Sequence, residues 1–179
     1  MEWDQFWRVI DGAYRADGPD HLAALTAGLD RLTWLEVVAF QARFDEAVAA
    51  ADTPDLRAAA ALVQGGWADA GFRDFRVWLV ARGQDVYDAA LLDPDTLAAV
   101  LDGDPADGFG LDAAAVRVYE AKTGMSDFFA VLGGLRPLRD RPPAGGADLD
   151  FATDAELRTR FPKLNDRYPA LPAEESDAD

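Results

Sequence analysis

The chain of 179 residues has no cysteine, one histidine (His21), two serines (Ser126 and Ser176) and two lysines (Lys122 and Lys163). Each scarcity removes a class of chemistry. Without cysteine there is no disulfide framework and no thiolate nucleophile. With one imidazole and no thiol, a zinc site of several histidine or cysteine ligands cannot form. A serine–histidine–carboxylate triad would have to join His21 to Ser126, and TGMSDFF around Ser126 lacks the Gly-x-Ser-x-Gly turn that exposes such a nucleophile. Any catalysis falls to carboxylates, arginines or tyrosines, which makes catalysis the less favoured expectation. No apolar run approaches the ~18 residues that span a bilayer. The opening MEWDQFWRVI is acidic where a signal peptide is basic. The expected setting is the cytoplasm, with no membrane partner and no cofactor.

What is present is acid, alanine and aromatic carbon. There are 33 acidic against 17 basic residues, a formal net charge of −16. That balance disfavours nucleic acid and anionic lipid, both of which need a basic face. The acids are dispersed and not laid out in rows, which argues against a nucleic-acid mimic. Half of the residues are hydrophobic and 11% aromatic, enough for a sizeable core in a chain of this length.

The apolar spacing is helical throughout. Trp3, Phe6, Trp7, Ile10 and Tyr14 form one stripe, broken by Gly18 and Pro19. Asp20 is placed to cap a second helix, HLAALTAGLDRL. Thr33 and Glu36 have capping-box spacing before a helix that carries Val37, Phe40, Phe44, Ala47, Val48 and Ala51 on one face, with Gln41, Arg43, Asp45 and Glu46 outward. Pro54 suits the first turn of DLRAAAALVQ, which Gly65 and Gly66 end. Pro94 breaks QDVYDAALLDPDTLAAVL, and Asp95 or Thr96 is a candidate start for a short helix. A loop over 102–112 leads to LDAAAVRVYEAKTG, ended by Gly124, and Ser126 is the expected N-cap of DFFAVL.

These elements predict an irregular all-α, single-domain helical bundle over residues 1–135. A Pro/Gly-rich connector follows over 136–147, then a C-terminal segment over 148–172 packed on the core, with a short helix opened by Thr153 and Glu156 and stopped by Pro162. A disordered tail is expected over 173–179.

Three places offer candidate sites. In GGWADAGFRDFRVWLVARG, residues 65–83, Phe72, Phe75, Trp78 and Leu79 share a helix face at 100° per residue. Val77 and Val80 fall elsewhere, so the helix is apolar nearly all round and belongs in the middle of a bundle. Arg76 lies at the edge of the buried face and needs an acidic partner. Asp69 sits in the first turn, and Trp67 is placed as a hydrophobic staple on Phe72. A ligand pocket here would take Trp67 and Trp78 as walls and Asp69, Arg73 and Arg76 as polar anchors. The favoured alternative is a capped core helix with a structural ion pair.

The second place is DGDPADGFGLD, whose Asp102, Asp104, Asp107 and Asp112 miss the calcium-loop register by one and are interrupted by Pro105, so a solvated turn is expected and no metal. The third is the basic run Arg136, Arg139 and Arg141, which suits either an anionic ligand or acidic partner, or a clamp onto the acidic body of the same chain. His21, beside a helix cap, is expected to be exposed and structural.

The stretch GGWADAGFRDFRVWLVARGQDVYDAALLDPDTLA, with DQFWRVID before it and DLDFATDAELRTRFPKL after it, resembles a bacterial family of unknown function, domain family 4240. The resemblance rests on Gly65, Gly66, Asp69, Gly71, Phe72, Phe75, Arg76, Trp78 and Leu79. It implies no activity. Trp67 stands where the family pattern has a small residue or cysteine, and Ala70 where it has an acid, which weakens any metal role for Asp69.

The leading functional expectation is a non-catalytic module that binds a partner protein or a small ligand. The competing one is a carboxylate-based or accessory biosynthetic enzyme with a Trp-lined cleft, for which Asp69, Asp74 and Glu120 are the candidate acids, with Tyr87 or Tyr119 as a possible proton donor. The sequence leaves the oligomeric state open.

Overall fold

A computed structural model of the chain describes residues 1–15, 21–64, 69–101, 110–135 and 154–169; for Arg15, Asp69, Ala70, Asp154 and Ala155 it describes the backbone only. Every regular element among them is helical, and the fold is all-α. The elements are α1 (Trp3–Arg15), α2 (His21–Asp30), α3 (Trp34–Ala50), α4 (Pro54–Gln64), α5 (Asp69–Ala81) and α6 (Gln84–Leu92). A 3-10 helix η1 (Pro94–Ala99) follows, then α7 (Ala114–Thr123), α8 (Phe128–Leu135), α9 (Asp154–Arg160) and α10 (Pro162–Arg167).

Local signals explain where most of these begin and end. Thr33 Oγ1 accepts the Glu36 amide while the Glu36 carboxylate accepts the Thr33 amide, which opens α3 with the expected capping box. The hydrogen bonds from Thr33 and Gln5 hold the Glu36 carboxyl below its ordinary value. Gly124, in the left-handed region at φ 69°, ends α7. Two starts differ from expectation. The 3-10 helix begins at Pro94, because the Asp93 side chain accepts the Asp95 amide and supplies the cap one residue before the proline. Helix α8 begins with Asp127, not Ser126, at its cap position, since the Asp127 carbonyl accepts the Val131 amide. The predicted caps Asp20 and Thr153, and Gly65 and Gly66, lie outside the described residues.

Helix α5 occupies the centre, against α1, α3, α4 and α6. Phe72, Phe75, Val77, Trp78, Leu79, Val80 and Ala81 are all buried, so its apolar circumference is filled from several sides. From α3 come Val37, Val38, Phe40, Phe44 and Ala47, and from α1 Phe6, Trp7 and Ile10. The alanines Ala58–Ala61 of α4 are buried too, and their small size lets α4 lie close to its neighbours. Gln41, expected to face outward, is buried; its amide donates to Asp45 at 2.8 Å, one turn on, which satisfies it in place.

The C-terminal helices dock through a capping carboxylate. Asp95 is buried and accepts the Lys163 and Leu164 amides at the start of α10, at 3.2 and 2.9 Å. Arg167 donates to the Ala98 and Leu101 carbonyls at the end of η1 and just beyond. Leu157, Phe161 and Leu164 complete the contact from the apolar side. The connector over 136–147 and the tail over 173–179 lie outside the described residues.

Candidate functional site

Arg76 finds its acid on another element. Its Nη1 lies 3.1 Å from Asp52 Oδ2, in the turn between α3 and α4, with side-chain exposures of only 12% and 13%. The same nitrogen donates to the Val48 carbonyl at 3.2 Å, near the end of α3 where carbonyls lack helical partners. Arg57 joins from the other side, its Nη2 3.2 Å from Asp52 Oδ1. Both guanidiniums lie over the Phe72 ring, at 4.7 Å for Arg76 and 4.4 Å for Arg57. One carboxylate is therefore held between two arginines on an aromatic floor. This geometry ties α3, α4 and α5 together through charge-assisted contacts.

Of the other members of the expected pocket, Arg73 and Trp78 are described, and each has partners of its own. Arg73 is exposed and pairs at the surface with Asp112, at 3.1 Å. Trp78 is buried, stacked on Phe75 at 5.6 Å. Trp67, the side chain of Asp69, and Arg136, Arg139 and Arg141 lie outside the described residues, as do Asp102, Asp104 and Asp107 of the loop. Among the described residues no three histidine, aspartate or glutamate side chains converge as metal ligands.

The candidate proton donors are committed elsewhere. The Tyr87 hydroxyl donates to the buried Ala47 carbonyl at 2.8 Å, and burial pushes its pKa up to about 12. The Tyr119 hydroxyl donates to Asp127 at 2.8 Å, an interaction that raises its pKa. Glu120 is exposed. Phenols used as structural donors to fixed acceptors are poorly placed to hand a proton to a substrate.

A second constellation lies at the far end of α5. Arg82 sits over the Trp78 ring at 4.7 Å and near the Tyr14 ring at 5.9 Å, and Tyr14 faces His21 across 6.2 Å between ring centres. His21 is half-buried, contrary to the expected exposure, and its Nε2 is buried with no hydrogen-bond partner among the described residues. The buried Trp78 Nε1 is in the same position. Desolvation, aided by the Arg82 charge, lowers the His21 pKa, which favours the neutral ring. Sequence spacing held one signal for this group: Trp78 and Arg82 are four apart on one helix face. Nothing local linked them to Tyr14 or His21, or linked Arg76 to Asp52.

Among the described helices, α8 alone carries no charged residue. Within its sequence FFAVLGGL, Phe128 and Leu132 are buried, Val131 packs partly against the core, and the helix lies against α3 and α7. Phe129 is 70% exposed, and Leu135 at the end of the helix and Met125 just before it are exposed as well. Ring contacts run from Trp34 through Tyr119 and Phe128 to Phe129, and Trp34 and Leu35 are exposed at the far end of that chain. No helix among the described residues is long and apolar enough to cross a membrane.

Fold and sites together define an all-α domain with an aromatic central helix and an arginine–aspartate cluster at its edge. The chain belongs to the family described as Protein of unknown function (DUF4240), whose model matches residues 1–121. The match takes in α1 to α6 and most of α7, while the C-terminal stretch DLDFATDAELRTRFPKL lies beyond it. No curated protein and no solved structure matches the chain.

Proposed function

We propose that this protein is a non-catalytic binding module of the cytoplasm that docks a partner protein on the exposed apolar face of α8. The observation that carries the reading is Phe129, a large ring left 70% exposed on a helix without a single charge. An isolated exposed apolar side chain needs no explanation, but this helix exposes Leu135 as well, with Met125 exposed just before it and Trp34 and Leu35 exposed at the start of α3. Aromatic and methionine side chains are the usual anchors of protein interfaces. Arg136, Arg139 and Arg141 follow α8 directly in sequence, so a partner with an apolar pocket and acidic rim suits this end of the chain. A second copy is a poor occupant, because two bodies of net charge −16 repel each other.

Site-specific photo-crosslinking tests the proposal. A benzophenone amino acid placed at Phe129 or at Trp34 is expected to give the same discrete protein adduct in cells. The probe at Leu92, an exposed leucine at the end of α6, serves as the control and gives no such adduct. Identical adduct patterns at all three positions, or an adduct of the chain with itself at 129, overturn the reading.

A further inference from the structure

We infer that Trp78, Arg82, His21 and Tyr14 form a binding site for a small organic monocarboxylate at the junction of α1, α2 and α5. The inference starts from two nitrogens that the fold leaves without partners. Trp78 is 3% exposed, and its Nε1–H, which can only donate, meets no acceptor among the described residues. His21 Nε2, from a different helix, is buried and equally unmatched. A buried polar group without a partner is costly, and these two belong to rings linked through Arg82 and Tyr14, which points to something that completes them.

Arg82 supplies the charge. Among the described residues it makes no ion pair, in a chain where acids outnumber bases 33 to 17. The nearby carboxylate of Asp11 is placed differently: its Oδ1 accepts the Gln84 amide at 3.0 Å and so anchors the start of α6. Gly83, at φ 91°, makes room for it, since a Cβ there would lie 2.7 Å from that oxygen. The Arg82 guanidinium instead stays between the Trp78 and Tyr14 rings, which leaves its planar fork for another acid. Trp78 is the most buried member of the group, His21 and Arg82 are half-buried, and Tyr14 is exposed.

The ligand class follows from this set. A carboxylate offers two oxygens to the Arg82 fork and to the indole and imidazole nitrogens, and the Tyr14 and Trp78 rings favour an apolar or aromatic body behind it. The field of an acidic protein repels a dianion more strongly than a monoanion, which selects against phosphate.

The test is an NMR titration of the full chain, read at the indole N–H signals of its five tryptophans, with Trp78 assigned by Trp78→Phe. Sodium benzoate, sodium acetate and inorganic phosphate are added at matched ionic strength. Benzoate is expected to move the Trp78 signal saturably, acetate more weakly and phosphate least. Arg82→Gln is expected to weaken benzoate by about tenfold or more, the loss of a charge-assisted pair. The four remaining indole signals report whether that variant is folded, and Arg82→Lys, which keeps the charge and loses the fork, is expected to weaken benzoate as well. A Trp78 signal that does not respond, or responds equally in Arg82→Gln, means that water alone serves these nitrogens and overturns the inference. Phosphate binding as tightly as benzoate overturns the carboxylate assignment. Phe129→Asp, which disables the proposed docking face, leaves the titration unchanged, so the two proposals fail separately.

Discussion

Tyr87 shows how single polar groups are used in this core. Its hydroxyl lies on the Ala47 carbonyl, which also accepts the Ala51 amide that closes α3. Removing the hydroxyl by Tyr87→Phe is expected to cost about 1 kcal/mol in chemical denaturation, the ordinary net worth of a buried neutral hydrogen bond. The raised pKa carries a pH signature. A phenol at about 12 in the folded chain and 10 when unfolded stays protonated longer in the fold, so its stabilisation is complete below pH 10 and is lost as pH rises toward 12. Tyr87→Phe should flatten the alkaline fall in stability over that window; an unchanged slope would show that the hydroxyl is not held as described. At this scale the sequence was only half legible. That Arg76 needed an acid followed from its place on α5, but Asp52 lies 24 positions earlier and no local spacing connects them. Gln41 was misplaced for a related reason, because its burial depends on Asp45 satisfying it from within the same helix.

Elements were more legible, because their signals are local. The stripes of α1 and α3, the Thr33–Glu36 box and the Gly124 stop all depend on neighbours within a turn or two. The 3-10 helix and the cap of α8 were displaced by one or two residues, because Asp93 and Asp127 supply the acceptors at those starts. The docking of α10 was not legible at all, since its N-terminal amides are served by Asp95 from η1, 68 and 69 residues away. Asp95→Ala should therefore cost about 1–2 kcal/mol, the range for loss of a helix cap. Hydrogen exchange should localise the effect: amides of α10 lose protection while those of α5 keep theirs. Uniform loss across both helices would mean that the C-terminal helices and the core unfold as one unit.

At the scale of the molecule, an acidic body of net charge −16 encloses a core whose described arginines are placed on aromatic rings and carboxylates. Surface repulsion is screened as the Debye length falls from about 30 Å at 0.01 M to about 8 Å at 0.15 M salt. The melting temperature should rise over that range, and a fall would mean that surface ion pairs such as Arg73–Asp112 outweigh the repulsion.

The Arg76–Asp52 pair ties α5 to the end of α3, and the proposed partner docking lies elsewhere, on α8. Thermal unfolding of Arg76→Ala tests it most directly. Loss of that guanidinium takes one arginine from the buried Asp52 carboxylate and strips a donor from the Val48 carbonyl, a change expected to cost about 3 kcal/mol. For a chain of this size that corresponds to a fall of roughly 6–12 °C in melting temperature. Below the new transition, the adduct formed from position 129 should be unchanged. A melting temperature equal to that of the parent chain, with the adduct lost, would contradict the account and make Arg76 a binding residue.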